Sequence, residues 1–286
     1  MKKIFVMLLT LFLLLPLRAA DNGSLINDPG SPVQIFFEVE TGLFSVLNHR
    51  YQVGREEEGA TNFDFVNQGG QDILLPFDRY TAGLTINGRH RIGLLYQPLT
   101  VNTDVTFRED VMVDSVLFTA GTPMELKYGF PFYRFTYSYT FLDREHLRMA
   151  GGAALQARNA SIVFKAVDGS GLVVAQNVGP VPSFYLCGRY TADSGWYVSL
   201  DATGLYASSA VINGANFDFE GSLLDASLRT GYPLRKGMEV FGNLRFLGGT
   251  SRGESQYPAE SWSVTEERYG ENLLGTMAFT LGISIY

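Results

Sequence analysis

The chain has 286 residues, a formal net charge of -7 and a single cysteine, Cys187. An acidic chain is a poor partner for nucleic acid, and one cysteine excludes an intrachain disulfide framework and a multi-cysteine metal site. No linker rich in proline, serine or charge divides the sequence, which therefore suits one all-β domain.

The amino terminus predicts an export signal. Lys2 and Lys3 precede an apolar run over residues 4–17 that is too short to span a bilayer comfortably. No later segment is apolar for ~18 residues, which argues against a transmembrane helix. We therefore predict a cleaved signal peptide over residues 1–20, a short periplasmic segment over residues 21–32 and a membrane barrel over residues 33–286.

Alternating apolar and polar residues predict the strands that follow. In residues 133–141, aromatic side chains occupy every second position, and arginine, threonine and serine fill the places between them. This period of two is typical of a strand with two different faces. The same analysis gives ten strands, at roughly residues 33–46, 76–86, 89–103, 124–141, 146–165, 177–191, 196–208, 217–232, 238–248 and 272–286.

Short and long connections alternate between these strands. Asn87-Gly88 favours a two-residue type I′ hairpin. The other short turns are residues 142–145, 192–195 and 233–237, and the long connections are residues 47–75, 104–123, 166–176, 209–216 and 249–271. Pro180 and Pro182 lack a backbone donor, so we expect the sixth strand to begin near Ser183.

The alternation of connections favours a membrane barrel over a soluble sandwich. Both folds explain a strand with one apolar face, because that face packs in a core in a sandwich and meets lipid in a barrel. Bacterial membrane barrels put short turns on the periplasmic side and long loops on the outside, and have an even number of strands. We predict an all-β, transmembrane, antiparallel up-and-down β-barrel of about ten strands, with both termini in the periplasm.

The strand phase also predicts an ion-paired lumen. Buried charges without partners are costly, so charges that point into a narrow barrel should pair. A barrel of about eight strands is filled by its own side chains, and ten strands are close to that number. We therefore favour a lumen plugged by its side chains over the alternative, a narrow porin-like channel. The predicted network consists of Glu38, Glu40, Arg91, Arg134, Arg148, Arg158, Arg189, Asp201, Asp225, Arg229, Glu239 and Arg245.

Four stretches carry a resemblance to known proteins. They are RIGLLYQPLT (91–100), VLFTAGTP (116–123), YGFPFYRFTYSYTF (128–141) and LQARNASI (155–162). Together they resemble a group of exported bacterial barrels described mostly as hypothetical outer-membrane proteins, over most of residues 80–286. The resemblance implies the barrel fold and brings no activity or functional residues with it.

No constellation of residues predicts catalysis or metal binding. Of the three histidines, only His49, in the first long loop, is expected at the outer end, where a barrel hydrolase would need it. We therefore predict no enzyme, no metal and no cofactor, with a surface hydrolase as the distant alternative. Trp262, in the last long loop, is the candidate contact residue. The expected partners are outer-membrane lipid, lipopolysaccharide or its equivalent, the barrel-assembly machinery and an unspecified extracellular ligand.

Overall fold

A computed structural model describes residues 26–28, 30–55, 57, 59–208, 219–255 and 268–286. The predicted signal peptide lies outside these ranges. The strands are β1 Val33–Val53, β2 Phe63–Asp64, β3 Leu74–Ile86, β4 His90–Gln97, β5 Thr100–Thr106, β6 Val111–Val113, β7 Val116–Phe118, β8 Pro123–Gly129, β9 Phe132–Asp143, β10 Leu147–Ala166, β11 Leu172–Thr191, β12 Tyr197–Ser208, β13 Phe219–Arg235, β14 Met238–Ser255 and β15 Arg268–Ile285. Within the described residues, no helix is long and apolar enough to span a membrane.

A closed ring of 10 antiparallel strands forms the body of the molecule. Its order is β1, β3, β4, β9, β10, β11, β12, β13, β14 and β15, and pairing of β15 with β1 closes the ring. The predicted antiparallel barrel is confirmed. β5 and β8 continue β4 and β9 toward the long connections, after interruptions at Pro98 and Pro131, and β8 pairs with the far end of β10.

The Asn87-Gly88 turn, the start of β1 and the end of β15 lie at the same end of the barrel. Asn87 and Gly88 both have positive φ, 51° and 67°, as a type I′ turn requires. Val33, at the start of β1, pairs with Ile86 beside this turn. Ile285, at the end of β15, pairs with Phe37, four positions further along β1. We call this the short-turn end and the opposite one the loop end.

Several strands run further toward the loop end than the sequence predicts. Pairing of β14 with β15 continues to Ser255–Arg268, and β1 pairs with β15 as far as Val53. The expected long connection at 166–176 is shortened to residues 167–171, because β10 and β11 pair as far as Lys165–Leu172. A membrane-spanning strand needs roughly 9–11 residues, so β1, β14 and β15, with 21, 18 and 18 residues, are long enough to extend beyond a bilayer.

The expected start of the sixth strand near Ser183 is wrong. β11 contains both Pro180 and Pro182 and pairs with β10 along its length. Its pairing with β12, however, stops at Phe184–Gly204, although β12 continues to Ser208. Pro180 and Pro182 therefore lie where one edge of β11 is unpaired, so no backbone N–H donor is required on that side.

The outer surface carries an apolar belt. Along β9, Tyr133, Phe135 and Phe141 are 50 to 55% exposed, whereas Arg134 and Ser138 between them are 2% exposed. Large apolar side chains on successive outward positions of a strand, as on β9, are unfavourable in water and favourable in lipid. The phase predicted from residues 133–141 is therefore the phase in the structure, with aromatic residues toward lipid.

Candidate functional site

The loop end of the lumen is filled by apolar side chains. Residues 59–73 and 107–122 fold over the barrel end and hydrogen-bond to each other through Thr61 and Met112. The rings of Phe63, Phe65 and Phe164 are fully buried, with centroids 5.0 to 5.3 Å apart. Aromatic pairs at such distances are typical of a packed interior. We call this region the apolar cap.

His49 lies inside the apolar cap and not in a loop. It belongs to β1, is fully buried, and stacks on Phe65 with ring centroids 4.4 Å apart. Its Nδ1 lies 2.7 Å from Oε1 of Gln71, and its Nε2 has no hydrogen-bond partner among the described residues. The prediction that the first long loop contains His49 is wrong, because β1 extends to Val53 and carries the imidazole inward.

A buried layer of charges crosses the lumen next to the apolar cap. Asp225 of β13 is 1% exposed and contacts three guanidinium groups. Its carboxylate oxygens lie 2.6 Å from Arg134, 2.8 Å from Arg245 and 2.9 Å from Arg79. These arginines come from β9, β14 and β3, which lie in different parts of the ring. Because buried ions need close partners and satisfied hydrogen bonds, this layer ties the walls of the barrel together.

Glu40 extends the same charged layer. One carboxylate oxygen accepts hydrogen bonds from Arg229 at 3.3 Å and Arg245 at 3.2 Å. The other oxygen accepts from the amide of Asn243 and the hydroxyl of Thr280, both at 3.0 Å. Both oxygens of this 2% exposed group therefore have partners, which a buried carboxylate requires.

Three arginines of the lumen lie over aromatic rings toward the short-turn end. The distances from Cζ to the ring centroid are 3.5 Å for Arg91 over Phe36, 3.5 Å for Arg189 over Tyr197 and 3.7 Å for Arg229 over Phe241. Each ring covers a glycine of another strand, and a Cβ atom there would overlap a ring carbon, as at Gly83 beneath Phe36. Glycine, ring and guanidinium thus form a repeated three-layer unit.

The short-turn end of the lumen is hollow. A cavity of about 570 Å³ extends from the charged layer to the short turns, where Gly88, Arg89 and Glu145 form part of its wall. Cys187 and the carboxy-terminal Tyr286 also line it. The volume falls within the range of small-molecule sites, ~300–1,000 Å³. The two halves of the lumen therefore differ in kind, one packed and one open.

The structure places the predicted network unevenly. Glu38, Glu40, Arg134, Arg189, Asp225, Arg229, Glu239 and Arg245 form ion pairs inside the barrel. Asp201 accepts a hydrogen bond from Ser227 at 2.6 Å. Arg148 pairs with Asp143 at the half-exposed rim of the short-turn end. Arg158 lies over Phe130, at 5.4 Å, near the apolar cap. Trp262 lies outside the described residues.

Sequence reasoning missed Arg79, which is central to the charged layer. Its guanidinium is 5% exposed, contacts Asp225 and donates to Gln97 at 3.0 Å. The signal was present in β3, where Tyr80 and Leu84 share the lipid-facing phase and place Arg79 on the inner face. Its partner Gln97 is uncharged, so the charge pattern of the sequence did not mark it as part of the network.

Among the described residues of the first long loop, Asp64 has a carboxylate whose environment shifts its pKa. Burial of Asp64 raises the pKa, but backbone and side-chain hydrogen bonds from Asn67, a backbone hydrogen bond from Val66 and the charge of Arg50 outweigh it and hold the value below the ordinary one. The Asp64 Oδ1 accepts from the amides of Val66 and Asn67 at 2.9 and 3.0 Å. Asp64 therefore organises a local turn.

Comparison with known proteins finds likeness in structure and none in sequence. No family model and no curated protein matches the chain. Among solved structures, the Escherichia coli outer-membrane protease OmpT has a TM-score of 0.48 at 12% identity, covering 89% of this chain and 97% of that one.

Two Pseudomonas aeruginosa barrels are also similar. A FadL homologue gives a TM-score of 0.37 at 6% identity and covers 88% of this chain and 90% of its own. The outer-membrane protein OprG gives 0.34 at 8% identity and covers 88% and 96%. Strand pairing and the apolar belt establish a ten-stranded transmembrane β-barrel of the outer-membrane type.

Proposed function

We propose that the protein is a non-conducting surface protein of the outer membrane. Its loop end faces the exterior and its short-turn end faces the periplasm, as in bacterial barrels generally. The loops bind an extracellular partner or shield the membrane, and the apolar belt contacts lipid and lipopolysaccharide or its equivalent. Export by a cleaved signal peptide and insertion by the barrel-assembly machinery belong to the same proposal.

The observation that carries this proposal is the double closure of the lumen. The apolar cap fills the loop end, with Phe63, Phe65 and Phe164 fully buried. Beneath it, Asp225 and Glu40 gather guanidinium groups into a charged layer that is almost wholly buried. Ions would have to displace both layers to pass, and the charged one is held by short, mutually supporting hydrogen bonds.

The outward surface near the loop end supports the proposed orientation. On β5 and β8, the outward positions carry Asn102, Asp104, Glu125 and Lys127, all exposed. Lys165 of β10 continues this surface and pairs with Glu125 at 2.7 Å. Charged side chains on the lipid face cost free energy that falls toward the interface. This polar surface therefore suits the aqueous side of the membrane and is available for binding.

We also propose that the protein is not an enzyme. A barrel hydrolase around His49 needs an imidazole that substrate and water can reach. His49 is instead enclosed by Phe65 and Tyr128 and hydrogen-bonded to the amide of Gln71. These contacts suit a histidine that packs the apolar cap.

Conductance in planar lipid bilayers tests the proposal. The refolded wild-type barrel should be silent, whereas the triple variant Phe63→Ala, Phe65→Ala, Asp225→Ala should produce openings, because both closures are weakened. The matched control is Phe184→Ala, which removes a ring that is 73% exposed on the lipid face. Steady ion-selective openings of the wild-type protein would instead establish the narrow channel.

A further inference from the structure

The hollow end of the lumen contains one repeated unit that is incomplete. In two of the three glycine–ring–arginine units, the guanidinium also holds a carboxylate of the protein through two hydrogen bonds. Arg189 donates to Glu239 at 3.2 and 2.9 Å, and Arg229 donates to Glu38 at 3.0 and 2.7 Å. Such paired contacts are the strongest arrangement for a guanidinium and a carboxylate.

Arg91 has the ring and lacks the carboxylate. Its Cζ lies 3.5 Å from the centroid of Phe36, and its side chain faces the cavity. Within the described part of the chain, no carboxylate oxygen lies within 4.0 Å of this guanidinium. Glu38 interacts electrostatically with Arg91, but both of its carboxylate oxygens already accept hydrogen bonds from Arg229. The third unit therefore leaves the donor edge of its guanidinium unused.

The charge count agrees with the geometry. Five arginines of the inner lumen, namely Arg79, Arg91, Arg134, Arg229 and Arg245, face four carboxylates, namely Glu38, Glu40, Asp201 and Asp225. One positive charge is left over. All five arginines line the cavity, and within the described residues Arg91 is the one among them with no ion pair to a carboxylate. The stacked ring fixes the guanidinium plane, so its free edge is ready for a planar bidentate partner.

The surroundings of Arg91 suit an organic anion. Its cross-strand neighbours are Thr85 on β3 and Ser138 on β9, and both line the cavity with it. These hydroxyl groups can donate to an anion beside the guanidinium. Apolar surface from Phe36 and Leu95 also lines the cavity and offers contact to a hydrocarbon body. The volume of about 570 Å³ admits a molecule of drug-like size or smaller.

We infer that the cavity at the short-turn end binds a small organic acid, whose carboxylate takes the position on Arg91 that Glu38 and Glu239 take on Arg229 and Arg189. The ligand enters from the short-turn end, which is the periplasmic side in the proposed orientation. The site is separate from the loops and does not require conduction, so binding and conductance can fail independently.

Calorimetric titration of the purified barrel in detergent with benzoate tests this inference. Benzoate should bind, and benzyl alcohol, a neutral molecule of similar size, should not. Arg91→Gln should weaken benzoate binding by about ten-fold or more, because a charge-assisted pair of hydrogen bonds is lost. Arg91→Lys should be intermediate, since it keeps the charge without the fork. Arg91 has no ion pair with any described residue, so the variants should remain folded.

Lys236→Gln is the matched control. It removes one exposed positive charge from a short turn at the same end, outside the cavity. It should leave benzoate binding unchanged. Equal affinity of the wild type and Arg91→Gln would overturn the inference, as would absence of binding by benzoate and by longer aliphatic carboxylates. Inorganic phosphate that binds as tightly as benzoate would also overturn it, because the apolar part of the site would then contribute nothing.

Discussion

The two halves of this lumen are built from the same strands and differ in what fills them. The loop half contains the apolar cap, in which Phe63, Phe65 and Phe164 reach 0% exposure. The short-turn half contains a cavity of about 570 Å³ lined by charged and polar groups. Between them, Asp225 and Glu40 hold the charged layer. A ten-stranded barrel has a lumen close to the size that its own side chains can fill. Whether one end is packed or open therefore depends on the side chains that the connections at that end add.

Connection length accounts for the difference. The long connections bring Phe63, Phe65, Phe107 and Phe118 over one end of the barrel, where they pack with rings from the strands. The short turns are too brief to fold over the other end, and in the described part of the chain the cavity stays open there. Closure of the barrel is thus a property of the loops, and an open site remains where loops are absent.

The largest effect is expected from the charged layer that divides the halves. Asp225→Asn leaves Arg79, Arg134 and Arg245 facing one another without their shared carboxylate. Removing one partner of a buried ion cluster typically costs about 3–5 kcal/mol. Urea unfolding in detergent should show this loss. Unfolding at the wild-type midpoint would mean that the layer is hydrated and does not divide the lumen.

A smaller and more local effect is expected in the apolar cap. Phe164→Ala removes a fully buried ring that contacts Phe63 and Phe65 and should cost about 3 kcal/mol. The loop segments should then become sensitive to protease while the barrel stays folded. Phe184→Ala, on the lipid face, is the control and should leave the loops protected. Identical protection of both variants would contradict a cap held by packing.

The polar surface outside the barrel should contribute little. Glu125→Gln breaks the pair with Lys165, whose side chains are 51% and 52% exposed. Exposed ion pairs are worth about 0.2–1 kcal/mol, so the urea midpoint should barely move, and high salt should erase the difference. A loss comparable to that of Asp225→Asn would remove the contrast between surface and lumen.

The smallest effect concerns pH and the first loop. The folded state lowers the pKa of Asp64, so its contribution is fully present above the ordinary value of 3.8 and is lost as pH falls through the lower folded value. Hydrogen exchange of the amides of Val66 and Asn67 should therefore accelerate below about pH 4 relative to the rest of the loop. Asp64→Asn should remove this pH dependence, and its persistence in that variant would assign it to another group.

The barrel itself could be predicted from the sequence, because strand phase and turn type are local. The alternation in residues 133–141 placed Arg134 inside and Phe135 outside, and Asn87-Gly88 identified a hairpin. The positions at which the strands end could be predicted less well. β1 and β14 extend past their apolar segments because backbone pairing continues where hydropathy no longer alternates.

The contents of the lumen were only partly predictable. Charges on the inner faces marked the network, yet the partners depend on which strands lie across the barrel, and sequence order does not give this. The burial of the phenylalanines in the long connections could not be predicted, because their partners, such as Phe164, lie far away in sequence. The cavity has no sequence signal of its own, since it is what remains after the loops have filled the other end.

Thiol labelling of the two halves tests the central claim most directly. The single cysteine, Cys187, lines the hollow half, and Val46→Cys in a Cys187→Ser background places a thiol in the apolar cap, where Val46 is 4% exposed. In the folded barrel in detergent, a small neutral maleimide should modify Cys187 at least about ten-fold faster than the cysteine at position 46, which should react only on unfolding. Equal rates for the two thiols would contradict a lumen packed at one end and open at the other.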